Sequence, residues 1–273
     1  MLAVIGLMTS TDTAETNELG ASGEGGNEPD TDQTDIVPVD TILGPGQAIQ
    51  VTNGDDVFNL LDGADYNYSP DGTNLITISA GDGDDSILLD AAASGSIDGG
   101  AGDNAIYTSL HGSQGVGYSV VAYGGDGDDR LIHIDAAPDT SNRDIAPRLV
   151  GGEGSDSFEV SFSEVNKIDE PEYAVRTGVV GILDFGNGVD TIQINAMIDN
   201  SDVYTVASAQ LQEDTAAGTT KLIVFYEAAP DPVDPENSLP DRELVVTIGA
   251  TDVIWGDITF IGDNIPPVLQ PLP

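Results

Sequence analysis

Aspartates recur along this chain in short turns bounded by glycine, and their spacing is the first feature with chemical content. Gly124–Ile132 reads GGDGDDRLI: three glycines and three aspartates fall in six residues, followed by Arg-Leu-Ile. Three carboxylates in so short a turn repel one another. Either the turn stays fully wet, or a positive charge sits among them. The ligands on offer are carboxylates and main-chain carbonyls, with no His or Cys in the turns. Hard oxygen donors in a flexible loop select Ca2+ over zinc or copper, and over Mg2+ with its strict octahedron.

The same pattern returns. Written G-G-x-G-x-D-x-U-x, with U a large apolar residue, it fits Gly151–Glu159 (GGEGSDSFE) fully. Ala80–Leu88 (AGDGDDSIL) has Ala for the first Gly, and Gly99–Tyr107 (GGAGDNAIY) has Asn104 for the Asp. Val51–Asn59 (VTNGDDVFN) keeps the second half, and Phe185–Gln193 (FGNGVDTIQ) lacks the first Gly. Ser69–Thr77 (SPDGTNLIT) is a fainter copy with Asn74 at the sixth place. The sixth column reads Asp56, Asp85, Asn104, Asp129, Asp156, Asp190; the eighth reads Phe58, Ile87, Ile106, Leu131, Phe158, Ile192. In a chain that is 39% hydrophobic, six apolar residues in six arise by chance about three times in a thousand. The repeat is not an accident of composition.

Starts at 51, 80, 99, 124, 151 and 185 differ by 29, 19, 25, 27 and 34. Such spacings suit windings of unequal length, each placing one turn on a common edge. Positions seven to nine of each copy read as a short strand, with position eight inward and its neighbours outward. Leu75–Ser79 (LITIS) and Tyr118–Ala122 (YSVVA) alternate and are β-branched, as return strands should be. Strands stacked in parallel lie ~4.8 Å apart. Two unit charges at that spacing repel by roughly 0.9 kcal/mol in bulk water and ~3.5 kcal/mol at an effective dielectric of 20. Five such contacts rival a domain's whole stability of ~5–15 kcal/mol. A cation between windings converts that repulsion into binding.

These copies resemble the RTX, or haemolysin-type, calcium-binding nonapeptide repeat. The resemblance covers roughly residues 50–195. It implies that the first six residues of each copy form a turn holding Ca2+ between windings, and the last three a strand of a parallel β-roll. Carried over position by position, it implies metal-binding roles for Asp56, Gly81, Asp82, Gly83, Asp85, Gly100, Gly102, Asn104, Gly125, Asp126, Gly127, Asp129, Gly152, Gly154, Asp156, Gly188 and Asp190. Asp85, Asp129 and Asp156 would give side-chain oxygens, and the glycines their carbonyls. Tandem spacing by nine, usual in that family, is absent, and Asn104 is a neutral and weaker ligand.

The whole composition agrees with an exported calcium binder. The chain has 273 residues, 48 acidic against 7 basic, and a net charge of −41. Nucleic acid and anionic membrane surfaces are poor partners for such a charge. No cysteine is present, so neither a disulfide nor a thiolate site holds the fold. Met1–Met8 (MLAVIGLM) is apolar but short, with no basic residue before it, and does not read as a cleavable leader. No apolar run approaches the ~18 residues of a membrane span. RTX proteins use type I export, which reads an uncleaved C-terminal signal, and millimolar calcium outside the cell would fill sites of ~10⁻⁴–10⁻³ M. GILDFGNGVDTIQI (Gly181–Ile194) also resembles the segment that follows such repeats, although the end, IPPVLQPLP, lacks the acidic-apolar terminus often found there.

The expected fold is all-β: an irregular parallel β-roll or β-solenoid with calcium-binding turns, followed by a small antiparallel β capping unit. Residues 1–47 read as an acidic flexible tail, 48–197 as the repeat region, 198–265 as a capping and secretion region, and 266–273 as a Pro-rich tail. The expected function is that of a secreted structural, adhesive or interaction module, with calcium as cofactor and cell-surface or matrix polymers as partners. Two alternatives stand beside it. A polysaccharide-modifying enzyme on a β-solenoid would need basic residues in a groove, and only Arg130, Arg143 and Arg148 cluster in sequence. Neither HExxH nor GxSxG occurs. An acidic protein of a halophile, without specific ion sites, would not need ordered sixth and eighth columns. His111 and His133 are singletons, and Trp255 reads as packing.

Overall fold

The computed structural model describes residues 48–50, 53–61, 76–90, 95–110, 120–135, 147–162, 177–186, 189–195, 204–230, 242–261 and 269–270. The expected tail 1–47, most of the Pro-rich end, the copy around Asn74, His111, Arg143 and the candidate ligand Gly188 lie outside them. The described residues are almost entirely β, in two mostly parallel sheets, with one 3-10 turn at Trp255–Asp257.

The chain passes from one sheet to the other and back. β1 (Ala48–Gln50), β3 (Ile76–Asp82), β5 (Gly95–Ala101), β7 (Val120–Asp126), β9 (Arg148–Glu153) and β11 (Thr177–Ile182) lie side by side and parallel. β2 (Val57–Leu61), β4 (Ser86–Asp90), β6 (Ala105–Leu110), β8 (Arg130–Asp135), β10 (Ser157–Phe162) and β12 (Thr191–Asn195) do the same in the second sheet. Successive strands thus alternate between sheets, and each glycine-aspartate turn joins an odd strand to the following even one. All six turns fall on one edge, as the sequence repeat requires.

Register explains why the apolar column is so regular. Phe58, Ile87, Ile106, Leu131, Phe158 and Ile192 are direct neighbours across the second sheet. All six are buried. Opposite them Ile78, Ile97, Ala122, Leu149 and Ile182 pair across the first sheet and are also buried. Both columns belong to one continuous apolar cluster. Each fully buried aliphatic side chain contributes about 1.5–3 kcal/mol, so these two columns hold the sheets face to face.

Beyond β12 the pattern changes. β15 (Arg242–Ile248) extends the first sheet in parallel beside β11, and β16 (Ile258–Ile261) extends the second beside β12. Ile258 continues the apolar column next to Ile192. β13 (Tyr204–Asp214) and β14 (Thr219–Ala228) form an antiparallel hairpin, and β14 pairs antiparallel with β15. The expected antiparallel unit is therefore continuous with the first sheet, which reaches ten strands and ends at β17 (Leu269–Gln270). The second has seven.

One expectation about the repeat is corrected. Its first six residues were to form the turn, with return strands over Leu75–Ser79 and Tyr118–Ala122. The strands instead run on through the first three repeat positions, to Asp82 and Asp126. Gly81, Gly100, Gly125 and Gly152 are paired neighbours inside the sheet. Successive windings approach so closely there that the carbonyl of Gly100 lies 1.8 Å from where a Cβ on Gly125 would stand. Only positions four to six are left to turn the chain. Position four takes φ near +124 to +139° in Gly83, Gly102, Gly127 and Gly154, a region that favours glycine.

Candidate metal centre

The turn edge is held by two aspartate rails that run in opposite directions. The sixth-position side chains reach back toward the preceding winding. Oδ1 of Asp85, Asn104, Asp129, Asp156 and Asp190 accepts the main-chain N–H of Asp56, Asp85, Asn104, Asp129 and Asp156 respectively, at 2.7–3.0 Å. The fifth-position side chains reach forward. Oδ1 of Asp55, Asp84, Asp103 and Asp128 accepts the N–H of Asp84, Asp103, Asp128 and Ser155, at 2.8–3.0 Å. Main-chain bonds between windings complete the edge, for example Arg130 N–H to the Asn104 carbonyl and Gly127 N–H to the Glu153 carbonyl, both 2.8 Å.

The rails differ in exposure. The fifth-position aspartates are exposed to water. The sixth-position residues are buried in all six turns, none more than 5% exposed. Their second oxygens pose the chemical question. Oδ2 of Asp85, Asp129 and Asp156 is buried and has no hydrogen-bond partner. Burial pushes the carboxyls of Asp85 and Asp129 up to about 6, with the N–H bonds opposing the shift and neighbouring aspartates adding to it. Asp156 is raised for the same reasons. An ionised carboxylate with one unsatisfied buried oxygen is strongly disfavoured unless a proton or a cation meets it.

The surroundings of that oxygen are themselves oxygen. The point where a Cβ on Gly124 would stand lies 2.2 Å from Asp129 Oδ2 and 2.6 Å from the Gly151 carbonyl. At Gly124 a side chain is excluded by space: a carboxylate from its own turn and a carbonyl from the next fill its volume. Gly151 shows the same approach, with Asp156 Oδ2 at 2.0 Å from the corresponding point. Position one of the earlier copy is Ala80, which is fully buried and places a methyl group there.

Two rungs are closed from within. Asn104 uses its amide nitrogen to donate to the carbonyls of Gly102 and Gly124, at 3.0 and 3.3 Å. Asp190 receives Gly186 N–H on Oδ2 at 2.6 Å. The last turn also lacks the stacked geometry of the others: Val189 and Asp190 N–H both bond the Gly186 carbonyl. Asp184 closes the same end, its two oxygens each 2.9 Å from the N–H groups of Gly151 and Gly152. Phe185, where the four preceding copies carry Gly or Ala, packs its ring 6.4 Å from that of Phe158.

The expected ligands are therefore brought together unevenly. Asp85, Asp129 and Asp156 present inward oxygens on one edge. Asn104 and Asp190 share their column but spend both polar atoms on hydrogen bonds. Gly83, Gly102, Gly127 and Gly154 sit in the turn, whereas Gly81, Gly100, Gly125 and Gly152 sit in strands. The side chains of Asp82 and Asp126 are exposed. Among the described residues no three His, Cys, Asp or Glu side chains converge on one point, so any cation here must draw most of its ligands from carbonyls. The fifth column went unread in the sequence, although Asp55, Asp84, Asp103 and Asp128 fill it in four of the six copies. His133, a singleton in the sequence, is buried on β8 and meets Thr108 Oγ1 through Nδ1 at 2.9 Å. Arg130 pairs with Glu159 at 2.8 Å, away from the expected Arg148.

The chain matches no protein-family model and no curated protein. Among the described residues no helix is long and apolar enough to cross a membrane.

Proposed function

We propose that this chain is a calcium-binding β-solenoid of the RTX type, exported by type I secretion and serving outside the cell as a structural, adhesive or interaction module. The observation that carries this reading is the trio of buried, unpartnered oxygens on Asp85, Asp129 and Asp156, stacked along one edge. At neutral pH they need positive charge. The donor set is carboxylate and carbonyl oxygen, which suits Ca2+ and not a soft metal. Asp129 Oδ2 and the Gly151 carbonyl face the same small volume and would be two of the ligands.

Calcium would then supply folding free energy, because the site does not exist in the unfolded chain. With a net charge of −41 and no cysteine, the fold would be weakened by self-repulsion where calcium is scarce and stabilised where it is millimolar. Matrix or cell-surface polymers are the partners that fit an extended, acidic, cation-loaded surface.

Far-ultraviolet circular dichroism tests the reading. The chain is measured in EDTA and then with Ca2+ raised to ~10 mM, with Mg2+ and sodium chloride as controls. A calcium-specific rise in β signal is expected. A fold as complete and as stable in EDTA as in calcium, or one strengthened equally by salt, would favour an acidic protein without ion sites.

A further inference from the structure

We propose that Asn104 is a rung that holds itself together without an ion and so interrupts the cation column between Asp85 and the Asp129–Asp156 pair. The inference rests on the calcium reading above but concerns this chain's own side chains. Asn104 occupies the sixth position, is 1% exposed, and keeps the rail intact through Oδ1, which accepts Asp85 N–H at 3.0 Å. Its other polar atom is an NH2, and its two hydrogens go to the Gly102 and Gly124 carbonyls.

The Asp129 rung is the same construction with one atom changed. Gly127 and Gly151 stand in the repeat where Gly102 and Gly124 stand for Asn104. Asp129 Oδ2 and the Gly151 carbonyl flank the missing side chain of Gly124, just as Asn104 Nδ2 and the Gly124 carbonyl flank that of Gly99, at 2.9 and 2.5 Å. Replacing nitrogen by oxygen removes two donors and leaves an oxygen facing oxygen. The amide satisfies its carbonyls directly, whereas the carboxylate requires a cation to bridge the same groups. One residue type thus sets whether a given rung depends on calcium.

Two reciprocal substitutions test this on the full chain. Asn104→Asp should bind one Ca2+ more than the parent, and Asp129→Asn one fewer, counted by native mass spectrometry in calcium buffer. In EDTA the order of stability should be the reverse of charge: Asp129→Asn melts higher and Asn104→Asp lower, each by about 2–4 °C, the shift expected for one net hydrogen bond in a chain of this size. If the parent binds calcium but neither substitution changes the count, the rung assignment is overturned and the calcium reading stands. If the parent binds none, the calcium reading fails, and the melting order in EDTA still decides the rung. Should Asn104→Asp not fold, Asp129→Asn alone carries the decision, and a melting point at or below the parent's overturns the proposal.

Discussion

Asp129 accepts the main-chain N–H of Asn104 on Oδ1 at 2.8 Å and leaves Oδ2 buried without a partner. That one carboxylate both fastens two windings and carries an unmet need for positive charge. The stability of the edge should therefore depend on what supplies it.

Protons are the simplest supply. In calcium-depleted buffer, the raised carboxyls of Asp85, Asp129 and Asp156 bind protons more tightly in the fold than in the unfolded chain. The fold then holds more protons between the ordinary value of 3.8 and about 6. Stability must fall as pH rises through that window and each carboxyl ionises. Urea denaturation of the metal-free chain should give a higher midpoint at pH 4.5 than at pH 7.5. Saturating calcium should reverse the order, because the ion competes with the proton. An equal midpoint at both pH values without calcium would show that these carboxylates are not held unsatisfied.

Gly124→Ala places a methyl group on Asp129 Oδ2 and the Gly151 carbonyl. The neighbouring backbone cannot withdraw without opening the sheet, so the substitution should destabilise by roughly 3 kcal/mol and weaken calcium binding together. Gly218→Ala is the control: nothing lies within 4 Å of its added carbon, and only its φ of +70° is strained. Thermal denaturation with and without calcium separates the two, since the control should leave the calcium response unchanged.

Asp128→Ala removes the forward-reaching acceptor from Ser155 N–H. The site is exposed, and water can replace the lost bond, so the effect should be about 0.5–1.5 kcal/mol and independent of calcium. A loss of bound calcium in this variant, read by isothermal titration calorimetry, would show that the outer rail also ligates.

How far the sequence foretold this depends on which physical signal each element carries. Leu131 and its column neighbours were legible because a two-residue strand period leaves apolar residues at a fixed repeat position. Asp129 was legible because the turn around it repeats. Burial of its side chain was not, since repulsion between acids says only that the turn is wet or neutralised; packing of successive turns, invisible in sequence, dries it. Strand character at Gly125 and Gly152 was hidden because glycine is a poor strand former, and only close approach of neighbouring windings makes it fit there. Ile258 falls in a run, Asp252–Ile261, that reads as a strand, but its place in the apolar column was hidden because no glycine-aspartate turn of the repeat type precedes it. The opposed direction of the two rails follows from side-chain torsions that no residue pattern records.

The sixth-position residues that bond one another stand 29, 19, 25, 27 and 34 residues apart, yet their hydrogen bonds stay within 2.7–3.0 Å. Chain length between rungs is thus decoupled from rung geometry. What varies is the number of residues from the end of an even strand to the start of the next odd one, as between Asp90 and Gly95 and between Phe162 and Thr177. The chain thus tolerates connections of unequal length there, and these are the positions at which a foreign peptide could be inserted while the rungs keep their spacing.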